Sequence, residues 1–234
     1  MAATPGEPTH EEAPTERRPS GVVAGVRMAL PLMIAVAGFG IPYGILARAA
    51  GFRPLAAVVM SATTFAGSAQ FAAASVLEAG GALSAAIAAA ILLNARYGPL
   101  GVSVAPALGG PVWKRFLLAQ LVVDESWALA GRGDGTFDRG ILVGAGLTLY
   151  LGWSVSTAVG AFGGEFLGDP AALGLDAAFP ALFLALLWPQ LRDRAAIVAA
   201  AAGALIALAL IPVAPPGVPI IAAAAGCLWG LVRR

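Results

Sequence analysis

The sequence predicts an all-α, polytopic transmembrane helix bundle of about seven or eight spans, and three observations carry that expectation. Hydrophobic residues fill 59% of the 234 positions and charged residues only 12%, about half the charged share of a soluble domain. Mean hydropathy is +0.84. Several apolar runs reach or approach the roughly 20 residues a helix needs to cross about 30 Å of hydrocarbon. A net charge of +1 offers no basic surface for nucleic acid. The single cysteine, Cys227, excludes an internal disulfide, and the single histidine, His10, lies in the N-terminal tail. No histidine relay, metal site or catalytic triad can therefore be built in the membrane, and no pattern calls for a cofactor.

Residues 1–20 carry four prolines and four glutamates and are expected to form a disordered tail, with the membrane domain over 21–234. The tail lacks the basic start and apolar core of a signal peptide. The first span covers about Met28 to Ala47 and holds Gly38, Gly40, Pro42 and Gly44. Pro42 cannot donate to its turn and the glycines weaken the helix. A kinked or broken first span is expected, and the backbone around Gly40 and Pro42 is a candidate binding element. A plain proline kink tolerated by its neighbours is the alternative.

The second span runs from Pro54 to Leu77 without a charge. At about 100° per residue, Ser61, Thr64, Ser68 and Ser75 share one face, while Thr63 and Gln70 share nearly the opposite one. Lipid satisfies neither stripe. The hydroxyls suit close helix packing, and Gln70 suits either an interhelical hydrogen bond or a substrate contact. The third span, about Ala82 to Ala105, is interrupted at Asn94-Ala95-Arg96-Tyr97-Gly98-Pro99, and a turn follows at Pro106 to Pro111. The fourth, about Phe116 to Ala130, contains Asp124 and Glu125. A polar loop at Gly131–Arg139 leads to the fifth span, about Gly140 to Phe162. An acidic loop from Glu165 to Asp176, a proline-broken run at Ala177–Leu191, a seventh run at Ala195–Ile211 and an eighth at Val218–Val232 complete the chain.

Nine Lys/Arg fall on the side of the N-terminus and four (Arg48, Arg53, Lys114, Arg115) on the other, so both termini are expected in the cytoplasm. Arg96, Asp124 and Glu125 are the charges deepest in the predicted spans. An ionised group there costs roughly 2.5–3.5 kcal/mol and seeks a partner. A hairpin turning near Gly109 puts Arg96 and Asp124 at similar depth. Glu125, about 100° further round a helix, then faces elsewhere, toward an ammonium or a proton. A purely structural ion pair fits the same spacing. Asn94 is a further polar group at that depth.

Gly40-Ile-Pro-Tyr-Gly-Ile-Leu-Ala47, Phe65-Ala-Gly-Ser-Ala-Gln-Phe71, Asn94-Ala-Arg96, Asp124-Glu125 and Asp176-Ala-Ala-Phe-Pro-Ala-Leu-Phe183, in that order, resemble the AzlC/YgaZ family. The resemblance implies the large subunit of a two-component exporter of branched-chain amino acids in the cytoplasmic membrane, working with a small AzlD-like membrane subunit. It implies no enzyme. A non-transporting assembly subunit is the alternative. Tyr97 stands where family members commonly carry histidine, and a phenol titrating near pH 10 is a poor proton shuttle. On the matched positions the candidate substrate-binding residues are Gly40, Pro42, Ser68, Gln70, Asn94, Arg96, Asp124 and Glu125.

Overall fold

The computed structural model describes residues 19–164, 184, 187, 188, 191, 194–215 and 217–225. The tail before residue 19, the acidic loop, most of the sixth run, the Asp176–Phe183 stretch and Cys227 lie outside them. Among the described residues there are ten helices and no strand: α1 Val22–Ala49, α2 Pro54–Thr64, α3 Gly67–Glu78, α4 Leu83–Asn94, α5 Tyr97–Leu108, α6 Val112–Ala119, α7 Asp124–Ala130, α8 Arg139–Gly163, α9 Arg194–Leu210 and α10 Val218–Ala223. Helices α1 and α8 are each long and apolar enough to cross a membrane. The α4–α5 pair makes a third candidate span, bent by 47° at its break. The expected seven or eight spans are not matched one for one among the described residues: the second and fourth runs are divided, the seventh is a 17-residue helix, and most of the sixth lies outside them. The second becomes helices of 11 and 12 residues and the fourth helices of 8 and 7.

The first span differs from its expectation. α1 is unbroken for 28 residues with both Pro31 and Pro42 inside it. Its glycines serve contact rather than unwinding. A Cβ on Gly40 would strike the Ser156 side chain, and one on Gly44 would strike the backbone of Thr157 and Ala161. From the other side, Gly144 faces the Val22 carbonyl and Gly160 the Ile41 carbonyl. Small residues on both helices let the backbones touch, which is how helices associate where apolar burial gives no advantage over lipid. The contacts pair the start of α1 with the start of α8 (Gly21 against Gly140) and their ends likewise, so the two helices run parallel. The chain's start and the Gly131–Arg139 loop thus lie at the same end of the α1–α8 pair. Replacing Gly44 by leucine is expected to separate the helices and cost about 1–3 kcal/mol or more. Yield and thermal midpoint of the purified membrane protein check this, and unchanged values refute the seam.

The N-terminus of α8 is capped by Asp138, whose Oδ1 accepts from the Ile141 N–H at 3.0 Å while Oδ2 meets Arg132 at 2.9 Å. The Ile141 N–H first, then Arg132, hold this carboxyl below the usual carboxylate range. A lowered carboxylate stabilises the fold fully above its unfolded pKa of about 3.9, and loses that contribution as pH falls through the folded value. Asp138→Ala is expected to cost about 1 kcal/mol. The thermal difference from wild type should be constant from about pH 5 to 7 and shrink below about pH 4.

Broken helix is found in the second span instead. Phe65 takes a left-handed conformation (φ 42°, ψ 53°), the only non-glycine among the described residues at positive φ, and Ala66 is non-helical (φ −144°, ψ 81°). This costs roughly 1–2 kcal/mol of backbone strain. It also invalidates a helical-wheel reading across residues 61–75. Ser61 and Gln70 fall on different stripes of a continuous helix, yet here they bond each other.

Candidate functional site

Each break leaves backbone groups without helical partners, and these must be met by side chains. At the α2–α3 break, Gln70 Oε1 accepts from the Ala66 N–H (3.2 Å) and from Trp153 Nε1 (3.0 Å), while Gln70 Nε2 donates to Ser61 Oγ (2.9 Å). Ser61 Oγ donates in turn to Thr157 Oγ1 (3.0 Å). Gln70, Ser61 and Thr157 are fully buried. On the α2 side, the Thr63 carbonyl accepts from Gln120 Nε2 (2.9 Å) and the Ala62 carbonyl from the Tyr150 hydroxyl (2.9 Å). At the α6–α7 break, Ser126 Oγ accepts from the Val123 N–H (3.0 Å) and donates to the Leu121 carbonyl (2.7 Å). Gly146 on α8 lets that loop close against it. A stacked and edge-on group of Tyr43, Phe71 and Trp153, centroids 5.5 to 6.2 Å apart, backs the whole arrangement.

The breaks at residues 65–66, 95–96 and 120–123 meet at one cavity of about 400 Å³. Phe65, Gly67 and Ser68 come from the first break, Arg96 and Tyr97 from the second, and Val123, Asp124 and Glu125 from the third. Helices α1 and α8 close it with Val36, Phe39, Leu149 and Trp153, and α3 adds Phe71. The volume lies near the lower end of small-molecule sites, which run from about 300 to 1,000 Å³.

The expected ion pair is present: Arg96 Nη2 lies 3.0 Å from Asp124 Oδ2, with both side chains about half exposed (48% and 45%). The same nitrogen donates to Ser68 Oγ (3.1 Å) and to the Tyr97 hydroxyl (3.3 Å). A guanidinium has five N–H donors. Nε and Nη1 have no hydrogen-bond partner among the described residues. The hairpin geometry that aligns the pair comes from Gly109 and Gly110, both at positive φ between α5 and α6. Trp127 Nε1 donating to Ser103 Oγ (2.8 Å) ties α7 to α5 below it. Asp124 and Glu125 sit in the first turn of α7, where the helix dipole favours negative charge. Gly67 and Ser68, at the start of α3, line the cavity, and their N–H groups lie in the first turn, where a helix offers no acceptor.

Of the eight residues singled out from the sequence, the structure brings Ser68, Arg96, Asp124 and Glu125 into this cavity. Gln70 lies one layer behind, holding the break that forms the wall. Gly40 packs on α8, and Pro42 lies within the unbroken α1. Asn94 lines a separate apolar groove between α2, α3 and α4, with its Oδ1 buried and unpartnered. Trp153 and Gln120 were not anticipated, and Tyr97 was noted only as standing at the family's histidine position. The signal for Trp153 was its place in mid-span, away from the interface where tryptophan collects. For Gln120 it was an amide in an apolar run four residues before the acids.

The family described as AzlC protein matches residues 31–167 of the chain, which includes every break and every cavity residue named above. The chain is 28% identical to the inner membrane protein YgaZ of Escherichia coli over 95% of its own length and 96% of that protein. It is 30% identical to the branched-chain amino acid transport protein AzlC of Bacillus subtilis, over 73% of its length and 70% of the relative. An uncharacterized membrane protein of Archaeoglobus fulgidus is 30% identical over 86% of the chain and 89% of the relative. No solved structure matches.

Proposed function

This chain belongs to the AzlC family of membrane proteins, and we propose that it is a secondary transporter subunit exporting branched-chain amino acids with a small AzlD-like subunit. It acts as a carrier and not as an enzyme. The single observation that supports this reading is the convergence of three helix breaks on one cavity with separated chemistry. A zwitterionic amino acid needs a cation, an anion and an apolar pocket at fixed spacing. Arg96, through its unused N–H groups, and the Gly67 and Ser68 amides suit the carboxylate. Asp124 and Glu125 suit the ammonium. Val36, Phe39, Phe71, Leu149 and Trp153 surround the aliphatic side chain. Broken helices at a central cavity are the usual means by which transporters present backbone to a ligand. In this reading the chain crosses the cytoplasmic membrane seven or eight times, residues 21–234 form the transporter domain, and the tail is cytoplasmic.

The test is counterflow of labelled leucine, isoleucine and valine in proteoliposomes with and without the small subunit. The expected result is saturable flux that requires both chains. Assembly of the two chains without flux of any amino acid leaves a docking role and refutes the transport reading.

A further inference from the structure

The cavity contains two carboxylates and one guanidinium. Arg96 is committed to Asp124 at 3.0 Å. Among the described residues no ion pair reaches Glu125. The charged and titratable groups facing it are Asp124 on its own helix and Arg96 and Tyr97 at the start of α5. Helices α1, α3 and α8 contribute apolar, aromatic and hydroxyl groups alone to the cavity. One negative charge is thus left over in an apolar surround, where an uncompensated ion is costly. Two species can supply the missing positive charge: a proton bonded to the carboxylate, or an ammonium beside it. A single carboxylate serves one of them at a time.

Resting on the transport reading above, we propose that Glu125 is an exchange site at which a proton and the amino group of the transported amino acid alternate. The amino group reaches the protonated carboxyl on the loading side. The O–H bond breaks, the proton leaves to the water on that side, and an ammonium–carboxylate pair forms. On the far side the amino acid departs and a proton from that side bonds to the carboxylate. One amino acid therefore crosses in one direction for each proton crossing in the other. Asp124 is already paired with Arg96 at 3.0 Å, which leaves Glu125 as the carboxylate open to exchange.

The experiment uses proteoliposomes containing the chain with its small subunit, with the membrane potential clamped at zero. Wild type is expected to show leucine counterflow. With the lumen one pH unit more acid than the bath, it should also accumulate leucine about tenfold, the ratio that one exchanged proton per molecule sustains. Glu125→Gln is expected to lose accumulation driven by the pH gradient. Wild-type counterflow without response to the pH gradient, accumulation driven by a sodium gradient instead, or accumulation retained in Glu125→Gln each overturns the proposal. A second measurement does not depend on the variant folding: leucine added to the unbuffered, solubilised wild-type complex should release about one proton per molecule bound. Binding without proton release overturns the exchange. Absence of any counterflow in wild type refutes the transport reading itself, and the two failures are distinguished.

Discussion

Gln70→Leu is expected to destroy the α2–α3 break and with it most of the folded protein. The substitution keeps the volume but removes one acceptor and two donors from a fully buried position. The Ala66 N–H and the Trp153 indole N–H lose their shared acceptor, and Ser61 loses its donor. A buried group left unsatisfied costs about 1–3 kcal/mol, so the loss should be about 3 kcal/mol or more, against a total stability of typically about 5–15 kcal/mol. Phe65 then has nothing to compensate its left-handed backbone, and residues 54–78 can relax toward a continuous helix that fills the cavity. The prediction is low yield and a sharply lowered thermal midpoint, with flux lost in proportion to folded protein. A stable variant with flux abolished would place Gln70 in contact with substrate instead, and normal values of both would reject either role.

Arg96→Met and Asp124→Leu are each expected to be severe, and the double variant to recover expression. Each single change strands one charge of a pair that sits where three helix breaks meet. Side chains in direct contact show coupling of about 0.5–3 kcal/mol, and the half-exposed geometry places this pair inside that range rather than above it. Transport should stay low in the double variant, because the carboxylate-binding donors of Arg96 are gone. Full recovery of transport would make the pair purely structural. Glu125→Gln is the control: Glu125 makes no ion pair with Arg96, so this variant should not be rescued by Arg96→Met. Absence of coupling in yield or thermal stability would contradict the pairing.

The pairing itself was legible in the sequence. It required only a turn at Gly109 and roughly equal chain lengths on either side, and the break at residues 120–123 did not move Asp124 out of reach. The interruption at Asn94–Pro99 was legible as well, since glycine and proline mark it. The break at Phe65–Ala66 was not. No glycine or proline lies between Pro54 and Gly67, and a left-handed phenylalanine is dictated by tertiary partners (Gln70, Gln120, Tyr150 and Trp153) that lie up to 88 residues away. The converse error has the same origin. Gly40, Pro42 and Gly44 carry the local signature of a broken helix, yet α8 supports α1 along the glycine seam and the helix stays whole. Punctuation in a membrane sequence thus marks either an opening or a close approach. Which of the two it is depends on the helix packed against it.

The central claim is that the cavity at the three breaks is where the amino acid binds. Ser68 lines it and bonds Arg96 at 3.1 Å, so a thiol at this position reports occupancy directly. The native thiol is removed by Cys227→Ser, and Ser68→Cys is introduced in that background. The reconstituted protein is treated with a small maleimide, and the labelling rate is followed against added leucine. Leucine is expected to protect saturably, with neither leucine amide nor the deaminated acid protecting, because both charged ends are required. Labelling of the introduced thiol that is indifferent to leucine, in a preparation that still transports it, would place the binding site elsewhere.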